Sequence, residues 1–160
     1  KKSDTKIMLE VHTCCCRSLY LTALKESLPY LDMYSVNSPE AMDLFSVDTE
    51  EACIEKMLEL GKPCFFRVGK KGSYMVMDGK AVFVPIVKGE HDVDPTGCGN
   101  SSTAAALYAY AEGYDPLKIA IIANVTSCCN AQQFGPIERL DGALRNKALA
   151  LVNELYEKMK

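Results

Sequence analysis

The residues Asp94-Pro95-Thr96-Gly97-Cys98-Gly99-Asn100-Ser101-Ser102 have the types and spacing that point most directly to chemistry. Gly97 and Gly99 stand just before an Ala-rich run from Thr103 that reads as a helix. Glycines at such a junction let backbone N–H groups converge without side-chain obstruction. A helix start adds unsatisfied donors and partial positive charge, a combination that favours phosphate. The residues alone leave two readings open, a phosphate cradle or a plain structural turn. Cys98 carries a similar pair: a thiol activated at a helix N-terminus, or a small residue filling space.

Other candidates are weaker. Lys70 and Lys71 lie in a Gly-flanked turn and could reach an anion or simply face water. Arg67 ends an apolar strand, where it is either an anion contact or a solvent-reaching side chain. Glu40, taken as bare sequence, is an ordinary first-turn helix glutamate. Asp92 and Asp94 are carboxylates close to the Gly-rich turn and could act as bases. Tyr108 and Tyr110 read as packing residues on the Ala-rich helix. His12 and His91 have no partner at a recognisable spacing.

The eight cysteines fall as Cys14-Cys15-Cys16, Cys53, Cys64, Cys98 and Cys128-Cys129, with no C-x-x-C pair. Adjacent cysteines bridge only with strain, so a disulfide framework is not expected. Small core residues in a reduced, cytoplasmic protein are the expectation instead. His12, Cys14 and Cys16 alternate along an expected strand and could be drawn as three zinc ligands, but no fourth ligand is in view.

The elements that must hold these residues alternate in type. Strands are expected over 7–11, 31–36, 64–68, 74–77 and 81–84, the last two flanking the hairpin signal Asp78-Gly79-Lys80. Helices are expected over Ser18 to Leu28 (stopped by Pro29), from Asn37-Ser38-Pro39-Glu40, and from Thr49 to Leu60, where Thr49 caps and Gly61 closes. Further helices are expected over Ser101 to Glu112, from Asp115-Pro116 to about Ala131, and from about Asp141 onward. Strands alternating with helices, then a helical tail, predict a layered α/β sheet flanked by helices, read as a single domain over 1–160.

Composition narrows the function classes. The chain has 160 residues, 48% of them hydrophobic and 24% charged, as in an ordinary globular protein. Eighteen basic against twenty-one acidic residues give a formal charge of −3. That balance argues against a nucleic-acid backbone binder and against a polybasic membrane anchor. No apolar run approaches a membrane-spanning length, and Lys1-Lys2-Ser3-Asp4 lacks the apolar core of a signal peptide. The absent initial Met leads to the expectation that sequence upstream is missing.

Taken in order, four motifs resemble those of the ribokinase-like (phosphofructokinase-B type) sugar kinases, from about residue 7 onward. Asn37-Ser38-Pro39-Glu40 resembles the family's N-x-x-E motif, associated with magnesium and phosphate. Arg67-Val68-Gly69-Lys70-Lys71-Gly72 is similar to its T-x-G-x-x-G nucleotide turn, with Arg67 in place of Thr. Asp94 to Asn100 resembles its D-T-T-G-A-G-D signature, an anion hole ending in the catalytic base. Ala123-Asn124 through Gly135 is similar to the helix and turn that close around the adenine.

The resemblance implies ATP and Mg²⁺ as cofactors and a sugar or nucleoside as substrate. It implies an anion hole at Gly97, Cys98 and Gly99, nucleotide contacts at Arg67, Gly69, Gly72, Asn124, Asn130 and Gly135, and magnesium-linked Asn37 and Glu40. Two departures stand out. Asn100 occupies the base position, and an amide cannot accept the hydroxyl proton. The chain also has about half the usual family length, so the sugar-contacting half and its lid are expected to be missing. The fold expected is therefore ribokinase-like but incomplete, with an open sheet edge suited to self-association or to the absent half. An impaired kinase, a nucleotide-binding pseudokinase or regulatory subunit, and an inactive piece of a longer enzyme are the three readings this leaves.

Overall fold

A computed structural model describes residues 4–89, 91–135, 137 and 140–160. Lys1, Lys2 and Ser3, on which the reading of the N-terminus partly rests, lie outside the described residues. Five short apolar runs form one sheet in the order β1 (Met8–Glu10), β2 (Met33–Asn37), β3 (Cys64–Arg67), β4 (Gly72–Met77) and β5 (Lys80–Pro85). β1, β2 and β3 pair in parallel and β4 runs antiparallel to β3. The β4–β5 turn is the expected two-residue hairpin: Asp78 and Gly79 both take positive φ, 53° and 72°. The chain's internal contacts divide it into two compact units, residues 1–83 and 84–160.

In the first unit, α2 (Ser38–Phe45) and α3 (Glu50–Leu60) follow β2. Tyr34, Val36, Phe66, Leu44, Cys53 and Met57 form its buried apolar cluster. The residues around the first helix depart from expectation. One helix over Ser18 to Leu28 is replaced by a 3-10 turn Ser18–Tyr20, a short α1 (Leu21–Ser27) and a second 3-10 turn Leu28–Tyr30. Pro29 lacks the N–H needed to extend α1, and Tyr20 gives its N-terminus no side-chain cap. Thr13–Cys15 is also a 3-10 turn rather than the end of a strand, so His12, Cys14 and Cys16 do not alternate on one face.

The second unit carries α4 (Cys98–Ala111), α5 (Pro116–Ala131) and α6 (Gly142–Met159). Asp115 caps α5 by accepting from the Lys118 N–H, and Asp141 caps α6 by accepting from the Leu144 N–H. The Tyr156 hydroxyl of α6 donates to Asp115 at 2.7 Å, tying the far helix to the start of α5. The principal correction concerns α4, which begins at Cys98 and not at Ser101. Cys98, Gly99 and Asn100 are thus the first turn of the helix, not the loop before it.

Candidate functional site: a pinned turn at the start of α4

Gly97 precedes α4 with φ 81° and ψ −9°, a left-handed conformation that a residue with a Cβ adopts only with strain. No side chain caps this helix, in contrast to α2, α3, α5 and α6. The Cys98 N–H is taken by the Pro95 carbonyl at 3.1 Å, and the Ser101 N–H by that of Gly97 at 2.9 Å. The Gly99 and Asn100 N–H groups, lying between them, have no partner among the described residues. Asn100 itself is exposed.

Two side chains hold this turn in place. Asn130, buried near the end of α5, donates to the Thr96 carbonyl at 2.8 Å and reaches the Cys98 sulfur at 3.6 Å. Asp94 accepts from the Thr96 N–H at 2.9 Å and from the Gly135 N–H at 3.3 Å. The Thr96 backbone bond leads, with the Thr96 hydroxyl and Gly135 adding to it, in holding the Asp94 carboxyl below its usual value. Both of its oxygens are thus engaged in holding the turn. The Cys98 thiol donates to the Ser127 carbonyl at 3.5 Å, which fits the space-filling reading. Asn124 is buried, and its amide donates to the Val84 and Pro85 carbonyls at 3.0 and 3.1 Å. It fixes the end of β5 rather than presenting donors to a ligand.

Within the first unit, Asn37 and Glu40 form a reciprocal capping box at the start of α2. The Glu40 N–H donates to Asn37 Oδ1 at 3.0 Å, and the Asn37 N–H donates to Glu40 Oε2 at 3.2 Å. The Thr13 hydroxyl donates to the other Glu40 oxygen at 2.9 Å. The N-x-x-E spacing therefore has a complete structural use of its own. Gly69 and Gly72 have φ 61° and 132°, and the Val68 N–H to Gly72 carbonyl bond of 3.0 Å closes their turn.

The Arg67 guanidinium pairs with Glu10 at 2.8 Å. Its Nε is buried and has no hydrogen-bond partner among the described residues. Lys71 pairs with Glu50 at 2.9 Å while remaining exposed, and Lys70 faces solvent. Thr13, Glu10 and Glu50 are the partners that sequence reasoning missed. Each lies at least twenty residues from the group it holds, where local spacing carries no signal.

The profile of the pfkB family carbohydrate kinases matches residues 6–142. The chain belongs to this family. Over 74 residues it is 35% identical to a nucleoside kinase of Methanocaldococcus jannaschii, covering 46% of this chain and 24% of that one. A ribokinase of Arabidopsis thaliana, solved with ribose and ATP, superimposes with a TM-score of 0.69 at 27% identity, over 80% of this chain and 43% of that one. A sugar kinase from Rhizobium etli CFN 42, described as probable, gives 0.78 at 18% identity, over 91% and 45%. The chain thus spans half or less of the length of the relatives it matches. Its sheet and helices are those of the ribokinase-like fold.

Proposed function

We propose that this chain is the nucleotide-handling part of an ATP- and Mg²⁺-dependent kinase acting on a hydroxyl of a sugar or nucleoside. The observation that carries this reading is the first turn of α4. Its Gly99 and Asn100 N–H groups are open among the described residues, Gly97 removes side-chain obstruction, and Asn130 and Asp94 both hold the turn at Thr96. Preorganised donors at a helix start are suited to a phosphate in the ground state and to the charge that develops during transfer. These donors fit the phosphate of ATP, which when bound supplies the group to be transferred.

Glu40 fits magnesium best through water. Both its oxygens already accept a hydrogen bond, yet each keeps a further lone pair, and Mg²⁺ retains several waters. Gly69 is the exposed glycine of the β3–β4 turn that a nucleotide would approach, while Gly72 and Gly135 shape the backbone around it and around Asp94. Asn124 and Asn130 act in this reading as positioning residues, because their amides donate within the protein, and Arg67 is held in place by its pair with Glu10.

Asn100 stands where the family base stands and leaves proton removal without a carboxylate. Loss of general-base help costs about 10²–10⁴-fold, whereas positioning and charge stabilisation supply most of phosphoryl transfer. The reading is therefore an impaired kinase. A non-catalytic nucleotide-binding subunit is the second reading, favoured by the same amide.

No helix among the described residues is long and apolar enough to cross a membrane. All eight cysteines are free thiols, in keeping with a reducing, cytoplasmic setting as part of the proposal.

Calorimetric titration with Mg·ATP tests the core of the reading, and no heat of binding would end it. Phosphotransfer to a panel of sugars and nucleosides then compares the chain with Asn100→Asp. A gain of about 10²–10⁴-fold on restoring the carboxylate supports the impaired kinase. Binding without transfer in either form supports the subunit.

A further inference from the structure

We propose that Cys14 and Cys15 form a two-thiol site for a soft, thiophilic centre of low coordination number, represented by a trivalent organoarsenical. Both side chains are exposed, and their sulfurs lie 3.5 Å apart. The turn that carries them is well held. The Cys14 N–H donates to His12 Nδ1 at 3.4 Å, the Cys15 N–H to the His12 carbonyl at 2.7 Å, and the Thr13 hydroxyl to Glu40 at 2.9 Å. The third cysteine of the run turns inward: Cys16 is buried, and its thiol donates to the His12 carbonyl at 3.0 Å.

Three arguments select the occupant. A disulfide between neighbours is strained, because consecutive Cα atoms stand about 3.8 Å apart, below the roughly 4.4–6.8 Å that disulfides span. A single bridging atom relieves that strain. Bonds to sulfur of about 2.3 Å at pyramidal or tetrahedral angles place two sulfurs about 3.5–3.8 Å apart, the spacing already present. Coordination number decides the rest. Among the described residues no group of three or more His, Cys, Asp or Glu is placed to hold a metal ion, so a four-ligand zinc site has no donors here. A trivalent arsenic atom brings its own third substituent and asks the protein for two sulfurs only. Soft thiolate ligands match such a centre.

The step balances without a redox partner. An arsenoxide and two thiols form two As–S bonds, the As–O bonds break, and both thiol protons leave with the oxygen as one water. Cys128 and Cys129, the other adjacent pair, lie on α5. Cys128 is buried.

The test is intact-mass analysis of the folded chain treated with phenylarsine oxide in excess glutathione. A single adduct that survives glutathione and is released by a dithiol is expected. Cys14→Ser and Cys15→Ser should each abolish it, with an unchanged far-ultraviolet circular dichroism spectrum, and Cys129→Ser should keep it. An adduct that persists in Cys14→Ser or Cys15→Ser, one that glutathione displaces, or none in the parent would overturn the proposal. The Mg·ATP titration is independent of these results.

Discussion

Gly97, Asn130 and Asp94 do different work at one turn, and substitutions separate them. Gly97→Ala places a Cβ at φ 81°, where the only near neighbour among the described residues is Asn130 at an ordinary 3.5 Å, so the cost is backbone strain and not a clash. We expect a loss of about 1–2 kcal/mol in chemical denaturation, with weaker Mg·ATP binding. Asn130→Ala removes a buried donor and leaves the Thr96 carbonyl without it. A loss of about 1–3 kcal/mol is expected, measured the same way. Asp94 has a pH signature. Its folded carboxyl titrates below its unfolded value, so its contribution is present above the unfolded value and disappears as pH falls through the folded one. The stability gap between the parent and Asp94→Asn should therefore be constant near neutrality and close below about pH 4. A gap that persists into that acid range would contradict the hydrogen bonds assigned to this carboxylate.

At the scale of elements, the start of α2 poses a choice between a cap and a metal-linked carboxylate. Glu40→Gln keeps an acceptor oxygen able to reach the Asn37 N–H, whereas Glu40→Ala removes it. Glu40→Ala should cost about 0.5–2 kcal/mol in denaturant midpoint, and Glu40→Gln considerably less. If Glu40 also serves magnesium through water, Glu40→Gln alone should raise the Mg²⁺ concentration needed for ATP binding. Equal Mg²⁺ dependence in parent and Glu40→Gln would leave the cap as the whole role. α4 shows the complementary case. It is long, yet only glycine stands at its cap, and its hydrophobic residues show almost no one-sided stripe, as expected of an Ala-rich helix packed along much of its length.

At the scale of the molecule, β1 is an edge strand. The Ile7 carbonyl and the Val11 N–H face β2, so alternation turns the Met8 and Glu10 backbone groups outward. No strand among the described residues pairs with that side. An edge of this kind templates association with another chain, and concentration-dependent association is expected in sedimentation velocity. Met8→Pro removes an outward N–H without breaking the β1–β2 ladder, so it should reduce association while the fold persists. Association unchanged by this substitution would place the contact elsewhere.

How much was legible in the sequence follows from the range of each interaction. Thr49, Gly61, Asp115, Asp141 and the Asp78-Gly79 turn act within a few residues of themselves, and the elements they bound stand where expected. The Gly-rich turn and its family pattern were legible for the same reason, because Gly97 imposes its conformation through its own missing Cβ. The partners of Arg67, Glu40, Lys71 and Asn130 were not legible, since Glu10, Thr13, Glu50 and Thr96 come from distant positions of the chain. The sequence by itself determined the alternation of elements, the helix stops and the family. Only the tertiary structure decided which polar groups remain open to a ligand, because a donor is open or satisfied only once every neighbour brought by folding is in place.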